Sequence, residues 1–308
     1  MHCIRCGKSV VPGAAFCAFC GSAVETRRRV PSNRSTPVPE RSELEGPCSV
    51  IYAGEGEMDV RSVGRLVAEA VQRPLPDVTR RLRTSKGFLA TGLPAEAARS
   101  LAEKAEAELK APILVVPDDQ CVPLPLAMRM RRASLDADGL RCDAYSWNLT
   151  ERVEATWNAV FLVSCARLQV EEVVPGNDAS PTRTDIFMRR SAPLVTRTHH
   201  EFLLDIVLYD ADNGGEGWRR LRLDQNTCAF SLTEMTADPD QRVGPLYRSA
   251  VNIERIADDV PMNAGVSLLA NGATGEAWES LTFLTKNDFD MYTHWLLQLV
   301  RFGVPVPR

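Results

Sequence analysis

The sequence predicts a multidomain α+β protein. A short cysteine-rich head leads into a β-α-α-β-α-β module, and a mainly antiparallel β domain with a C-terminal helix follows. Three observations carry this. Two CxxCG pairs stand close together in "CIRCGKSVVPGAAFCAFCG", residues 3–21. Strand and helix periods alternate through residues 48–118. From residue 141 short strand-like runs dominate, until the amphipathic stretch "NDFDMYTHWLLQLVRFG" near the end. At roughly 150 residues per domain, 308 residues hold about two domains, or three if some are small.

The head, residues 1–24, has almost no core-forming material. Zinc favours a tetrahedron of soft ligands, and a CxxC turn offers two sulfurs from one tight knuckle. Gly7 and Gly21 each follow the second cysteine of a pair, where a knuckle often needs a backbone conformation costly for residues with a Cβ. Pro12-Gly13 supplies a turn between the pairs. The segment resembles the short zinc-ribbon family, whose pattern is CxxCG…FCxxCG. The resemblance implies Cys3, Cys6, Cys17 and Cys20 as ligands of one structural Zn2+, with His2 a spare donor outside the pattern. Four thiolates close the coordination sphere to substrate. An iron site of the rubredoxin type or a redox dithiol pair is the other chemistry open to these cysteines. A ribbon this small takes its folding free energy from the metal. The five remaining cysteines (Cys48, Cys121, Cys142, Cys165, Cys228) are scattered and odd in number, so they read as buried thiols rather than a disulfide framework.

Residues 25–47, "ETRRRVPSNRSTPVPERSELEGP", are rich in Pro, Ser and Arg and read as a disordered linker. Arg27, Arg28 and Arg29 could touch phosphate or an acidic protein face.

In the middle module, residues 48–118, "SVIYA" reads as a strand. "DVRSVGRLVAEAVQ" puts Val60, Val63, Val67, Ala70 and Val71 on one helical face. "LPDVTRRLRTS" gives a second helix with Val78 and Leu82 inward, and "KGFLATGL" a second strand. "PAEAARSLAEKAEAELK" begins with Pro94 near a helix N-terminus and buries Ala98, Leu101, Ala102, Ala105 and Leu109. On its outer face Arg99 would pair with Glu103 and Glu106 with Lys110. "PILVVP" completes the module. The pattern of "VGRLVAEAV" and "DVTRRLRTSKGFLATGLPAEAARSLAEKAEAELKAPILVV" resembles the C-terminal domain of the bacterial ribosomal stalk protein and the related ClpS-like fold. That resemblance implies a small protein-binding module with an exposed helical hairpin. The stalk family's binding helices are lysine-rich, whereas the first helix here has Arg61, Arg65 and Glu69, so no binding residue carries over.

Residues 119–140 read as a connector, in which "LAMRMRRASLDADGL" is either helix or connector, and 141–308 as the β-rich domain. Expected strands include "WNAVFLVSCARLQVEEVV", "RTDIFMRRSA", "HHEFLLDIVLYD", "GWRRLRLDQ", "CAFSLT" and "AGVSLLA", with "DADNGGEG" as a hairpin loop. "SAVNIERIADD" reads as a short helix. In the last helix Asn287 or Asp288 would be the N-cap, and Phe289, Tyr292, Trp295, Leu296 and Leu299 share a face. Antiparallel strands capped by a helix with a buried tryptophan resemble bacterial pleckstrin-homology-like domains. Members of that family often bind anionic headgroups through a basic loop. Here residues 118–308 carry nineteen basic and twenty-seven acidic groups, and the tight basic cluster Arg219, Arg220 and Arg222 falls in an expected strand. Protein binding therefore fits better than phosphoinositide binding.

His199, His200, Glu201 and Asp205 are the one cluster to test as a catalytic site. Neighbours on a strand point to opposite faces, so His199 pairs with Glu201 while His200 faces away. The sequence has no P-loop, GxGxxG, HExxH or GxSxG motif. With no long apolar span and no signal-like start, the expected location is the cytoplasm. The functional expectation is a non-enzymatic zinc-binding adaptor or regulatory protein acting through protein–protein interaction, with no catalytic residues and no organic cofactor. The alternatives are a nucleic-acid- or ribosome-associated factor using the ribbon and basic linker, and an enzyme working around His199 and Glu201.

Overall fold

The computed structural model describes residues 36–55, 58–135, 138–146, 149–175, 194–209, 217–224, 244–257 and 259–307. All belong to one compact unit, Ser35–Arg308. Its architecture is mixed α/β with two sheets. Cys3, Cys6, Cys17, Cys20 and Arg27–Arg29 lie outside the described residues, as do Cys228, the expected strands at 183–192 and 228–233, and loop residues 210–216.

The first sheet follows the order β2-β1-β3, antiparallel throughout, from β1 (Pro47–Tyr52), β2 (Phe88–Pro94) and β3 (Ile113–Pro117). Three helices complete the expected β-α-α-β-α-β order: α1 (Val60–Val71), α2 (Leu75–Ser85) and α3 (Ala95–Leu109). Central β1 has no polar face to spare: Cys48, Val50 and Ile51 are fully buried. α3 packs through Ala98, Leu101, Ala102 and Ala105, whose small side chains allow close approach to the sheet. Asp59 caps α1 by accepting from the backbone N–H groups of Arg61 and Ser62. α2 ends where Lys86 takes a left-handed conformation, followed by Gly87.

Two local expectations give way here. Glu106 pairs with Arg41 rather than with Lys110, and Arg99 donates to the Arg41 carbonyl, because Arg41 reaches α3 from outside the helix. Residues 36–46, linker by composition, are fastened to the unit. The Arg41 guanidinium also donates to Ile113 O, Leu44 is buried, and Thr36 N–H donates to Arg301 O.

The second sheet is mixed, with order β10-β7-β8-β9-β4-β5-β6. Its strands are β4 (Ala127–Leu135), β5 (Gly139–Ser146), β6 (Leu149–Thr156), β7 (Val160–Pro175), β8 (Leu194–Tyr209), β9 (Trp218–Asp224) and β10 (Thr282–Phe283). Most neighbours are antiparallel, while β4 with β9 and β10 with β7 run parallel. The expected connector 119–140 thus contains a full strand, β4, which buries Met130 and Ala133 between exposed arginines.

Helices α4 (Gly244–Ile256), α5 (Ala264–Ala270) and α6 (Lys286–Arg301) complete the unit. "AGVSLLA" is therefore the helix α5 and not a strand. Asn263 sets it by bridging the backbone of Cys165, accepting from its N–H and donating to its carbonyl. Gly265 then passes so close that a Cβ would stand 2.1 Å from the Cys165 carbonyl oxygen. α6 buries the expected face, Phe289, Tyr292, Trp295, Leu296 and Leu299. Its cap is Thr285, not Asn287 or Asp288. The Thr285 hydroxyl accepts from Asp288 N–H and meets the Asp288 carboxylate at 2.8 Å, a reciprocal arrangement a lone Asn or Asp could not make.

Candidate functional site

α6 is where the two sheets meet. Its Trp295 indole N–H donates to Tyr52 O at 2.7 Å, while Tyr52 N–H donates to Gly87 O at 2.7 Å. Gly87 sits at φ +101°, and a Cβ there would lie 2.3 Å from the indole nitrogen. The turn after α2 therefore requires glycine on two counts, conformation and space. Nearby, His294 Nε2 meets Val122 O at 2.9 Å, and the Gln298 amide donates to Val122 O and accepts from Val122 N–H. Burial holds the His294 pKa below its ordinary value, so the neutral ring with Nε2–H donating fits this contact.

Beside this junction opens a cleft of about 630 Å³, within the range of natural binding sites. From the first sheet and its helices come Tyr52, Met58, Asp59, Val60, Arg61, Leu82, Arg83, Lys86 and Gly87. The other wall is Ala264, Ser280, Leu281, Phe283, Tyr292, Trp295 and Pro307. Its floor is apolar: Tyr52, Leu82, Leu281, Phe283, Tyr292 and Trp295 are all buried. Its lip is charged and accessible, with Arg61 and Arg83 exposed and Lys86 half-buried. The Lys86 ammonium lies 4.8 Å from the centre of the Phe283 ring, a cation–π contact. Burial raises the Tyr52 pKa and pushes that of Tyr292 up to about 12, so both phenols stay neutral at the floor. Asp59 is the only acid among the described lining residues. Its pKa is lowered by hydrogen bonds from the Ser62 side chain and then from the Arg61 and Ser62 backbone.

The basic cluster of β9 is internal. Arg222 makes a bidentate pair with Asp205 at 2.7 and 2.6 Å and a third contact to Asp290 of α6 at 2.6 Å. Arg220 Nη1 lies 3.2 Å from Asp290, near enough for charge attraction but off the hydrogen-bond axis. Arg219 pairs with Glu151 instead. None of the three offers a free basic loop to an external anion.

His199 and Glu201 meet at 3.5 Å on an outward stretch of β8 where residues 194–200 are exposed. His200 has its pKa lowered, first by partial burial, then by Arg167 and His199. Asp205 is held under α6 by Arg222 and does not join them. Among the described residues no three His, Cys, Asp or Glu side chains gather as a metal site. Cys48, Cys142 and Cys165 are buried and Cys121 half-buried, with burial pushing the Cys121 thiol up to about 11. No described helix is long and apolar enough to cross a membrane.

The cleft was not legible beforehand because its walls come from positions up to 255 apart, Tyr52 to Pro307. Two local signals mark it in hindsight: the Lys86-Gly87 pair ending a helical period, and the aromatic face of α6. Comparison with family models, with curated proteins and with solved structures finds no match.

Proposed function

We propose that this protein is a non-enzymatic, zinc-binding adaptor that acts by holding a protein partner on its α1/α2 face. One observation carries the reading. Residues 58–87 contain seven basic and three acidic side chains. Arg61, Arg65, Arg73, Arg80, Arg81 and Arg83 are exposed there, on a chain whose remainder is acidic. Among the described residues no carboxylate forms a salt bridge with any of them. Such a patch attracts an acidic surface and speeds encounter with it. The element order of the first sheet supports a small binding module of the stalk or ClpS-like kind. The second sheet, closed by α6, supports a pleckstrin-homology-like reading at the level of fold. Within this proposal Cys3, Cys6, Cys17 and Cys20 fold the head around one zinc ion and do no chemistry.

The test is affinity capture with residues 1–308 beside a chain lacking residues 1–46 and one with Arg61, Arg65, Arg80 and Arg83 replaced by glutamine. A protein retained by the first two and lost from the third is expected. Retention by all three overturns the assignment to α1/α2. Nucleic acid would use the same arginines, and it separates by experiment: RNA binding that weakens steeply between low and moderate salt would replace the adaptor reading. Elemental analysis should find one zinc per chain, lost on replacing Cys17 and Cys20 by serine; iron, or cross-linked sulfurs, would overturn the zinc assignment.

A further inference from the structure

The cleft beside α6 has a composition that an adaptor face alone does not need. A flat acidic surface would be satisfied by the outer arginines of α1 and α2. The cleft instead combines a cationic lip from α1 and α2 with an apolar floor to which both sides contribute, Tyr52 and Leu82 from one and Leu281, Phe283, Tyr292 and Trp295 from the other. We propose that it receives an acidic segment of the protein partner, seating one apolar side chain on the floor and placing flanking carboxylates against Arg61, Arg83 and Lys86. This rests on the adaptor reading above and names which feature of the partner is read.

Three points favour this occupant. First, the charge is unspent: among the described residues Arg61, Arg83 and Lys86 have no salt-bridge partner, and Lys86 is held over the Phe283 ring instead. The lining carboxylate, Asp59, is already engaged by the first backbone N–H groups of α1 and the Ser62 hydroxyl. Second, the size suits an anchor with its neighbours. About 630 Å³ exceeds a single side chain, and buried anchors with a polar rim are the ordinary anatomy of a binding hot spot. Third, the aromatic floor is unsuited to bases. Phe283 and Tyr292, and Tyr292 and Trp295, are tilted against one another, not laid out as the open ring faces on which successive bases stack. The arginines continue past the lip along α1 and α2, through Arg65 and Arg80, as a chain-like ligand would require.

The experiment is fluorescence anisotropy of the full chain with a fluorescein-labelled peptide, one central phenylalanine flanked by aspartates and glutamates. Affinity is expected to fall about tenfold when the phenylalanine becomes serine, and again when the acids become their amides. On the protein, Lys86→Asn with Arg83→Gln should cost about tenfold, since asparagine tolerates the left-handed backbone at that position. Ser280→Trp, at an exposed lining residue, should block the cleft without touching its floor, and circular dichroism controls for folding. Equal binding of the serine peptide, undiminished binding by Ser280→Trp, or no binding at about 1 mM peptide overturns the proposal, as does a polyuridine oligomer that displaces the peptide. A captured partner that Ser280→Trp still retains would sink the cleft assignment and leave the adaptor reading standing. Peptide binding with no captured partner would do the reverse.

Discussion

Two groups of basic side chains sit in the same folded unit under opposite conditions. Arg220 and Arg222 are 3% and 6% exposed, enclosed between β9 and α6 with Asp205 and Asp290. Arg61, Arg83 and Lys86 stand on a cleft lip with no carboxylate bridged to them among the described residues. In the sequence each group includes closely spaced basic residues, Arg219 to Arg222 in one and Arg80 to Lys86 beside the other. The difference lies in what each faces. A charge buried with its counter-ion is committed to the fold, because removing either partner strands the other in a low-dielectric interior. A charge left at the surface contributes little to stability and stays available to a ligand.

The sharpest way to break this contrast is Asp205→Ala. It removes the fully buried acceptor of two Arg222 hydrogen bonds and should destabilise the unit by about 3–5 kcal/mol. Urea unfolding measures this, and a loss under about 1 kcal/mol would erase the distinction between the two groups. Burial is the largest single effect on the Arg222 pKa and lowers it, but the charges and hydrogen bonds of Asp205 and Asp290 together outweigh it and leave the pKa raised, so the guanidinium keeps its proton.

Next comes Gly87→Ala, which tests whether the junction beside the cleft is as tight as the geometry requires. The added Cβ meets the Trp295 indole and a positive φ together. A cost of about 1–3 kcal/mol is expected in the same unfolding experiment. An unchanged midpoint would mean that the contact between the turn and α6 is loose.

The helices of the first sheet were the most legible part of the chain. "LPDVTRRLRTS" coincides with α2 because its apolar period, its entry proline and its exit Lys-Gly are all local signals. The face of α6 was legible for the same reason. Segments whose fate depends on distant partners were not. "AGVSLLA" is too short for its period to tell helix from strand, and the Asn263 bridge to Cys165 that fixes its start comes from a distant strand. β4 has alternating arginines that read as connector until the parallel pairing with β9 is known. The Arg219–Arg222 run was read correctly as strand, yet burial under α6 required Asp290, some seventy residues away. The cleft falls in the same class, since it is a product of packing and not of any one segment. The zinc-ribbon reading of the head, in contrast, lies outside the described residues and rests on the spacing of its cysteines.

His294 offers a smaller test of the same junction. Its pKa is lowered in the fold, mainly by burial, so the native state holds the neutral ring. Above the unfolded pKa, near 6.5, both states are neutral and the contribution to stability is complete. As pH falls below that value the unfolded chain takes up a proton that the native state refuses. Stability is then lost at up to roughly 1.4 kcal/mol per pH unit until the folded pKa is reached. His294→Gln should flatten that acid limb in urea titrations as the pH falls below about 6.5, and an unchanged slope would place the titrating group elsewhere.

The smallest expected effect sharpens the comparison most. Lys86→Asn with Arg83→Gln alters two charges on the lip and no described hydrogen bond of the fold. The unfolding midpoint should move by no more than about 0.5 kcal/mol, against about 3–5 for Asp205→Ala. The cation–π contact of Lys86 with Phe283 is the one interaction lost, and at a half-exposed site it is worth about 0.5–1 kcal/mol at most. Part of that returns because asparagine suits the left-handed backbone at position 86 better than lysine does. If the double variant unfolds as easily as Asp205→Ala, the lip residues are structural after all, and any loss of peptide binding would report a damaged fold. If it is as stable as the parent and still fails to bind, stability and recognition occupy separate charges in this protein.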